Sequence, residues 1–455
     1  MINRRAFLSL PAGAAMAQAP KRPNVVVLLA DDLGWADVGF HASEIRTPNI
    51  DRLASQGAEL ERFYSFPVCS PTRSALMTGR SPMRLGVAYS VIRPWLNYGL
   101  PAGEHLMPQS FRAAGYQTAI TGKWHLGHSQ AKFMPNSRGF DHAYGHVNGA
   151  IDYFDHTREG GLDWHRNGKS VDEKGYSTDL LGAEASAFIR KRDRSRPFFL
   201  YVPFNAPHTP LQAPQARLDK YANIADKRRR TFAAMVDGLD TSIGHILSTL
   251  DQERVANDTI VLFFSDNGGP VAQAARNTPL RGAKATTWEG GIRVPAVLRW
   301  PGKIPAGGKL RQMMAAWDVF PTLSAAAGVK PLNAKPLDGM NLWPQLASGK
   351  TIPREEMFFI IEAQSRIMTA VHHREWKLVR EETGQPVHHL FRIEEDPNEE
   401  RNLADRHPEV VKDLAARIDR WKKLHPPDGI RAKEAAPAGW KAPPKWAEAA
   451  QSTPE

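Results

Sequence analysis

The stretch Val25-Val26-Val27-Leu28-Leu29-Ala30 runs through six apolar residues without a polar break and closes on Asp31-Asp32. A strand with one wet face alternates. An unbroken apolar run rich in β-branched residues fits a strand buried on both faces, as in a parallel sheet covered by helices. The same design recurs. Thr118-Ala119-Ile120 leads to Gly122-Lys123, and Phe198-Phe199-Leu200-Tyr201-Val202 leads to Pro203 and then His208. Ile260-Val261-Leu262-Phe263-Phe264 leads to Ser265-Asp266-Asn267, and Val294-Pro295-Ala296-Val297-Leu298 leads to Arg299.

Helical patterns separate these runs. One opens at Thr47-Pro48, others span 107–114 and 177–190, and residues 228–250 place Phe232, Met235, Val236, Leu239, Ile243, Ile246 and Leu247 at helical spacing. Strands alternating with helices predict an α/β fold, a large doubly wound, mostly parallel sheet flanked by helices. Ligands of such sheets bind at the carboxyl ends of the strands. Asp31-Asp32, Lys123, His208 and Asp266-Asn267 all follow apolar runs on that side. Four strand ends bearing carboxylates, an amide and cationic groups suit a metal and an anion.

Near residue 326 the character changes. Gly328-Val329-Lys330-Pro331 and Lys335-Pro336-Leu337-Asp338-Gly339 read as linker and turn. Short alternating stretches follow (367–371, 376–380, 389–393), then a helix over 408–424. The reading is a catalytic α/β domain over 20–325 and a smaller C-terminal α+β domain with an antiparallel sheet over 326–425. The Pro/Ala/Lys-rich tail 426–455 is expected to lack fixed structure.

Composition bounds the rest. The chain has 455 residues, 42% hydrophobic and 24% charged, which excludes disorder and coiled coil for the bulk of it. Formal net charge is +11, from 59 Lys+Arg against 48 Asp+Glu. That excess suits anionic substrates; without a basic stripe interleaved with stacking aromatics, nucleic acid is not expected as a partner. The run Lys227-Arg228-Arg229-Arg230 reads as an exposed helix face. Residues 1–19 read as a twin-arginine signal peptide: Arg4-Arg5 precede a weakly apolar, Ala-rich stretch, with cleavage expected after Ala17. The stretch is too short for a stable membrane anchor. These features predict the twin-arginine translocase as partner and a periplasmic or extracellular location.

The single cysteine, Cys69, lies in Pro67-Val68-Cys69-Ser70-Pro71-Thr72-Arg73-Ser74-Ala75-Leu76-Met77-Thr78-Gly79-Arg80. Pro71 suits the first turn of a helix running to about Thr78. Cys69 then precedes a helix N-terminus, where free N–H groups favour an anion, with Arg73 about a turn away. Such a thiol is a candidate reactive thiolate. The stretch resembles the sulfatase signature Cys-x-Pro-x-Arg, and Gly122-Lys123-Trp124-His125-Leu126-Gly127 resembles that family's second signature. Asp31-Asp32, Asn205-Ala206-Pro207-His208, Asp266-Asn267-Gly268-Gly269, Arg281-Gly282-Ala283-Lys284 and Trp288-Glu289-Gly290-Gly291 are similar to its remaining blocks, in order. The resemblance runs from about residue 22 to residue 424.

The resemblance implies a sulfuric ester hydrolase, acting on a sulfated sugar or an aryl sulfate. It implies formylglycine made from Cys69 by a separate formylglycine-generating enzyme, and Ca²⁺ held by Asp31, Asp32, residue 69, Asp266 and Asn267. It implies that residue 69 attacks sulfur with Asp266 as base and forms a covalent sulfate. His208, with Lys284, protonates the leaving alcohol. His125 assists release of sulfate, and Arg73, Lys123 and Lys284 clamp sulfate oxygens. Residues 148–156 and 279–291 also resemble N-acetylgalactosamine-4-sulfatase (arylsulfatase B) type members; there a sulfate-contacting Ser of some arylsulfatases falls at Asn148 or Gly149. Asn148, His156, Trp164 and His165 are candidates for the substrate rim. Three alternatives stay open: a phosphonate monoester or phosphodiester hydrolase of the same superfamily, an unmodified carbohydrate-binding relative, and a cysteine hydrolase using His125 or His208 as base.

Overall fold

A computed structural model describes residues 22–332, 335–363, 365–432 and 435–452. The expected export signal lies outside the described residues. The core is a ten-stranded sheet. Five strands run parallel at its centre, in the order Thr259–Ser265, Asn24–Ala30, Phe198–Pro203, Gln117–Lys123, His142–His146. Asn24–Ala30 is buried along its whole length, with Val25 beside Phe199 on one neighbour and Ile260 on the other. Helices cover both faces, as the apolar runs require. The longest, Lys227–Gln252, starts where the Asp226 side chain accepts from the Arg228 and Arg229 amides and satisfies donors of the first turn.

Ala296–Arg299 joins the sheet antiparallel to Thr259–Ser265, not as a further parallel strand. Pro295 cannot donate to a ladder, and the Val294 amide just before it turns away to the Phe63 carbonyl. The basic run is not a uniformly exposed face: Arg229 is buried and donates to Asp37 and Glu44.

The smaller sheet is an antiparallel meander of Met357–Ala363, Arg366–His373, Trp376–Glu382 and Val387–Arg392. The helix Pro408–Lys422 packs on it through Leu414 and Ile418. Phe359 touches Tyr64, Phe66 and Trp317 of the larger unit. A buried charge cluster joins the two units as well. Lys377 Nζ lies 2.9 Å from Glu289 and 2.8 Å from Glu399, with all three side chains inaccessible or nearly so.

The tail contradicts its composition. Trp446–Ser452 is a helix, with Trp446, Ala447 and Ala450 buried against Met134 and Val147. Two large indoles, Trp440 and Trp446, supply the apolar area that such a Pro- and Lys-rich segment otherwise lacks. No helix among the described residues is long and apolar enough to cross a membrane.

Candidate active site

The helix Cys69–Thr78 is buried throughout. It starts where Phe66 N–H donates to Thr72 Oγ1 at 2.8 Å, and Gly79 closes it in the left-handed region. Cys69 is its first residue, one position inside the predicted start, and Arg73 follows one turn later on the same side. The strand ends bring their polar groups to this point. Lys123 Nζ donates to Asp31 Oδ2 at 2.6 Å. Lys284 Nζ donates to Asp32 Oδ2 at 2.8 Å and lies 3.8 Å from Cys69 Sγ. Cys69 Sγ donates to Asp31 Oδ1 at 3.5 Å. Arg73 donates to Asp266 Oδ2 from Nε (3.0 Å) and Nη2 (2.7 Å), while Asp266 Oδ1 accepts the Asp32 amide. Asp32 itself has a φ of 73°, a sparsely populated conformation for a non-glycine residue, held by these contacts.

These groups surround the floor of a cavity of about 510 Å³ lined by Cys69, His125, His208 and Lys284. Arg73, Lys123 and Asp266 lie behind that lining, where they hold one another. Buried Arg73 and Lys123 and part-exposed Lys284 meet the three buried carboxylates Asp31, Asp32 and Asp266. His208 keeps Nδ1 2.7 Å from the Thr209 carbonyl, and its Nε2 lies 3.6 Å from Asp32 Oδ2. His125 Nε2 donates to the Ile92 carbonyl at 3.0 Å, and its Nδ1 is buried with no hydrogen-bond partner among the described residues.

Burial dominates the protonation of the site. It pushes the Cys69 thiol up to about 12, with Lys123 and Lys284 only partly offsetting it. That direction runs against the low thiol pKa expected of a helix N-terminus. Burial pushes Asp266 up to about 6, with Asp31 adding and Arg73 opposing. Burial alone would also raise Asp32, but Lys284 and then His208 pull it well below the usual carboxylate range. Burial brings His208 down to about 3 against the pull of Asp32.

The donor set fits a hard cation. One donor atom each from Asp31, Asp32, Cys69 and His208 lie within 4.8 Å of one another. Asn267 turns its Nδ2 to Asp32 Oδ1 at 2.8 Å, which leaves its Oδ1 buried and without a hydrogen-bond partner among the described residues. A buried amide oxygen is costly to leave unmatched, and it is the kind of oxygen Ca²⁺ takes alongside carboxylates.

All four rim candidates are placed elsewhere; Trp164 is fully buried, with Nε1 donating to the Tyr144 hydroxyl at 3.2 Å. Asn148 is fully buried and donates to Asp163 Oδ2 at 2.9 Å. His156 is buried with its ring stacked 4.4 Å from Trp164, and buried His165 accepts the Gly168 amide at Nδ1. None of them lines the cavity; each is held inside the loop packing. The lining instead takes in Ser90, Arg93, Arg158, Glu362 and Ala432, none of which belongs to a motif.

Residues 23–329 match the family model described as Sulfatase, and residues 283–424 match the one described as N-sulphoglucosamine sulphohydrolase, C-terminal. The chain belongs to the sulfatase family. This sulfatase is a sulfuric ester hydrolase. It is 32% identical to arylsulfatase J of Mus musculus over 89% of its length and 77% of that protein. It is 36% identical to N-acetylgalactosamine-6-sulfatase of Homo sapiens over 76% of its length and 70% of that protein. The crystal structure titled Ps i-CgsB in complex with k-i-k-neocarrahexaose superposes with a TM-score of 0.85, at 33% identity over 91% of this sulfatase and 96% of that chain.

Proposed function

We propose that this sulfatase removes sulfate from a sulfated carbohydrate, with formylglycine derived from Cys69 and with bound Ca²⁺. The observation that carries the reading is Cys69 on the floor of the cavity, beside the buried carboxylates of Asp31 and Asp32 and the ammonium of Lys284. Two of the similar proteins support the substrate class by name, one for an N-acetylgalactosamine sulfate and one for a bound carrageenan-type oligosaccharide. Asp31, Asp32, Asp266 and Asn267, with residue 69, would hold the ion. The aldehyde-derived hydroxyl would supply the nucleophile and the ion would polarise a sulfate oxygen.

The chain's own residues do the remaining work. Lys284 reaches the cavity and offers an ammonium to a sulfate oxygen, where a preset charge needs no reorganisation. Lys123 and Arg73 keep Asp31 and Asp266 fixed from behind. His208, its ring oriented by the Thr209 carbonyl, faces the leaving oxygen, and it can donate there only when the negative charge of a bound sulfate ester favours its protonated form. His125 lies on the Cys69 side of the cavity and is placed to take a proton when sulfate is released.

Two measurements test this. The tryptic peptide containing residue 69, taken from protein made in its own host, is expected to be lighter than the cysteine form by about 18 Da, as the formylglycine nucleophile requires. An intact thiol in an enzyme that turns over would sink the formylglycine reading. Asp32→Asn is expected to lower Ca²⁺ affinity by on the order of 100-fold or more, beyond the 10- to 100-fold seen when mere outer partners of a metal are changed. Metal content after dialysis checks it, and calcium retained at the wild-type level would remove Asp32 from the ligand set.

A further inference from the structure

The wall of the cavity opposite the motifs is built partly by chain that lies beyond residue 424, where the family match ends. Arg158 lines the cavity from a short hairpin, Thr157–Arg158 paired with Gly161–Leu162. Residues 443–446 fix that hairpin. Leu162 N–H donates to the Pro444 carbonyl at 2.8 Å, and Leu162 bridges Lys445. Trp446 Nε1 donates to the Arg158 carbonyl at 3.0 Å. Gly161 lies so close that a Cβ there would sit 2.0 Å from the Pro443 carbonyl oxygen.

Charge then separates Arg158 from the floor. The floor is balanced, with Arg73, Lys123 and Lys284 against Asp31, Asp32 and Asp266. Glu362, the acidic side chain of the lining, is matched by Arg431 at 2.6 Å. Arg158 pairs with its neighbour Glu159 at 3.1 Å, with the two side chains 27% and 40% exposed. Exposed pairs of this kind contribute little and exchange readily. Its Nε is buried with no hydrogen-bond partner among the described residues. A guanidinium so placed offers a fork to a second carboxylate or sulfate.

We infer that Arg158 is a specificity residue that receives a second anionic group on the substrate, a sulfate or a carboxylate borne by the same sugar or the next one. This rests on the carbohydrate reading above. The test compares kcat/KM of the full chain on three disaccharides sharing one scissile sulfate: one otherwise neutral, one with a second sulfate, one with a uronate carboxylate. Wild type is expected to favour a doubly anionic form, and Arg158→Ala to cut that selectivity ratio by on the order of 10- to 100-fold, the effect of losing a hydrogen bond to a charged group. Arg158→Gln, closer in size, guards against a folding defect and is expected to lose the same ratio. Which doubly anionic disaccharide is favoured tells sulfate from carboxylate. No preference in wild type, or a ratio unchanged in both variants, overturns the role of Arg158 while leaving the sulfatase intact. Sulfate release from 4-nitrophenyl sulfate but from none of the disaccharides removes the carbohydrate reading, and the inference with it.

Discussion

Cys69→Ala is expected to abolish turnover, by on the order of 10⁴-fold or more, while the chain stays folded. Removing the nucleophile of a covalent mechanism costs about as much as removing the whole catalytic set. The fold should tolerate the change because the position is a small one. Cys69 gives a buried Sγ with one contact to Asp31 at 3.5 Å and one to Lys284 at 3.8 Å, and the helix it starts is fixed instead by Thr72 and Gly79. The check is sulfate release from an aryl sulfate alongside the thermal midpoint. Turnover within about tenfold of wild type would show that the chemistry does not pass through residue 69.

Lys377→Met is expected to cost roughly 3–5 kcal/mol, the usual penalty for breaking a buried ion pair by removing one partner. Lys377 is the shared counter-ion of Glu289 and Glu399, at 2.9 and 2.8 Å, on the seam between the two sheets. The Tyr64 hydroxyl donates to Glu289 from the larger unit, and the Glu289 amide donates to Glu399. Without the ammonium, two carboxylates face each other in a dry seam. The denaturation midpoint should fall, and Glu399→Gln in the same chain should recover part of the loss; equal midpoints for wild type and Lys377→Met would show that the cluster is neutral to stability. The cluster also has a pH signature. Burial pushes Glu399 up to about 7, so its contribution is full below its ordinary value of 4.5 and is lost as pH rises through about 7. Glu289 behaves oppositely. Burial opposes its charge, but Lys377 and His372 pull its pKa down, so its contribution is full above 4.5 and is lost in acid. The seam is thus tightest in mildly acid solution.

Local patterns carried the sequence reading far. The apolar runs at Val25, Phe198 and Ile260 became the central parallel strands because burial on both faces leaves no polar alternation to misread. The floor was legible for a related reason: Asp31, Asp32, Asp266, Asn267 and Lys123 end strands or directly follow them, so strand order alone brings them together. What failed depended on distant partners. The strand Met357–Ala363 escaped notice because its pairing with Arg366–His373, not its own alternation, defines it. The helix at Trp446 exists because Met134 and Val147 receive it. His156 and His165 looked like rim residues because a histidine that packs and one that binds read alike until its ring has a neighbour. The cavity wall joins Arg93, Arg158, Glu362 and Ala432 from four separate segments, and no spacing rule spans them.

The docked segment 435–452 also changes what keeping the motifs means for this protein. A premature stop placed just after residue 424 would keep every side chain of the catalytic floor and both stretches that match the family models. Such a chain would pass any inventory of motifs. It would nonetheless have lost Pro443, Pro444 and Trp446, which hold the Arg158 hairpin against the cavity. A frameshift or truncation that removes residues 443–446 should therefore be judged by which sugars the enzyme accepts rather than by whether it still cleaves an aryl sulfate.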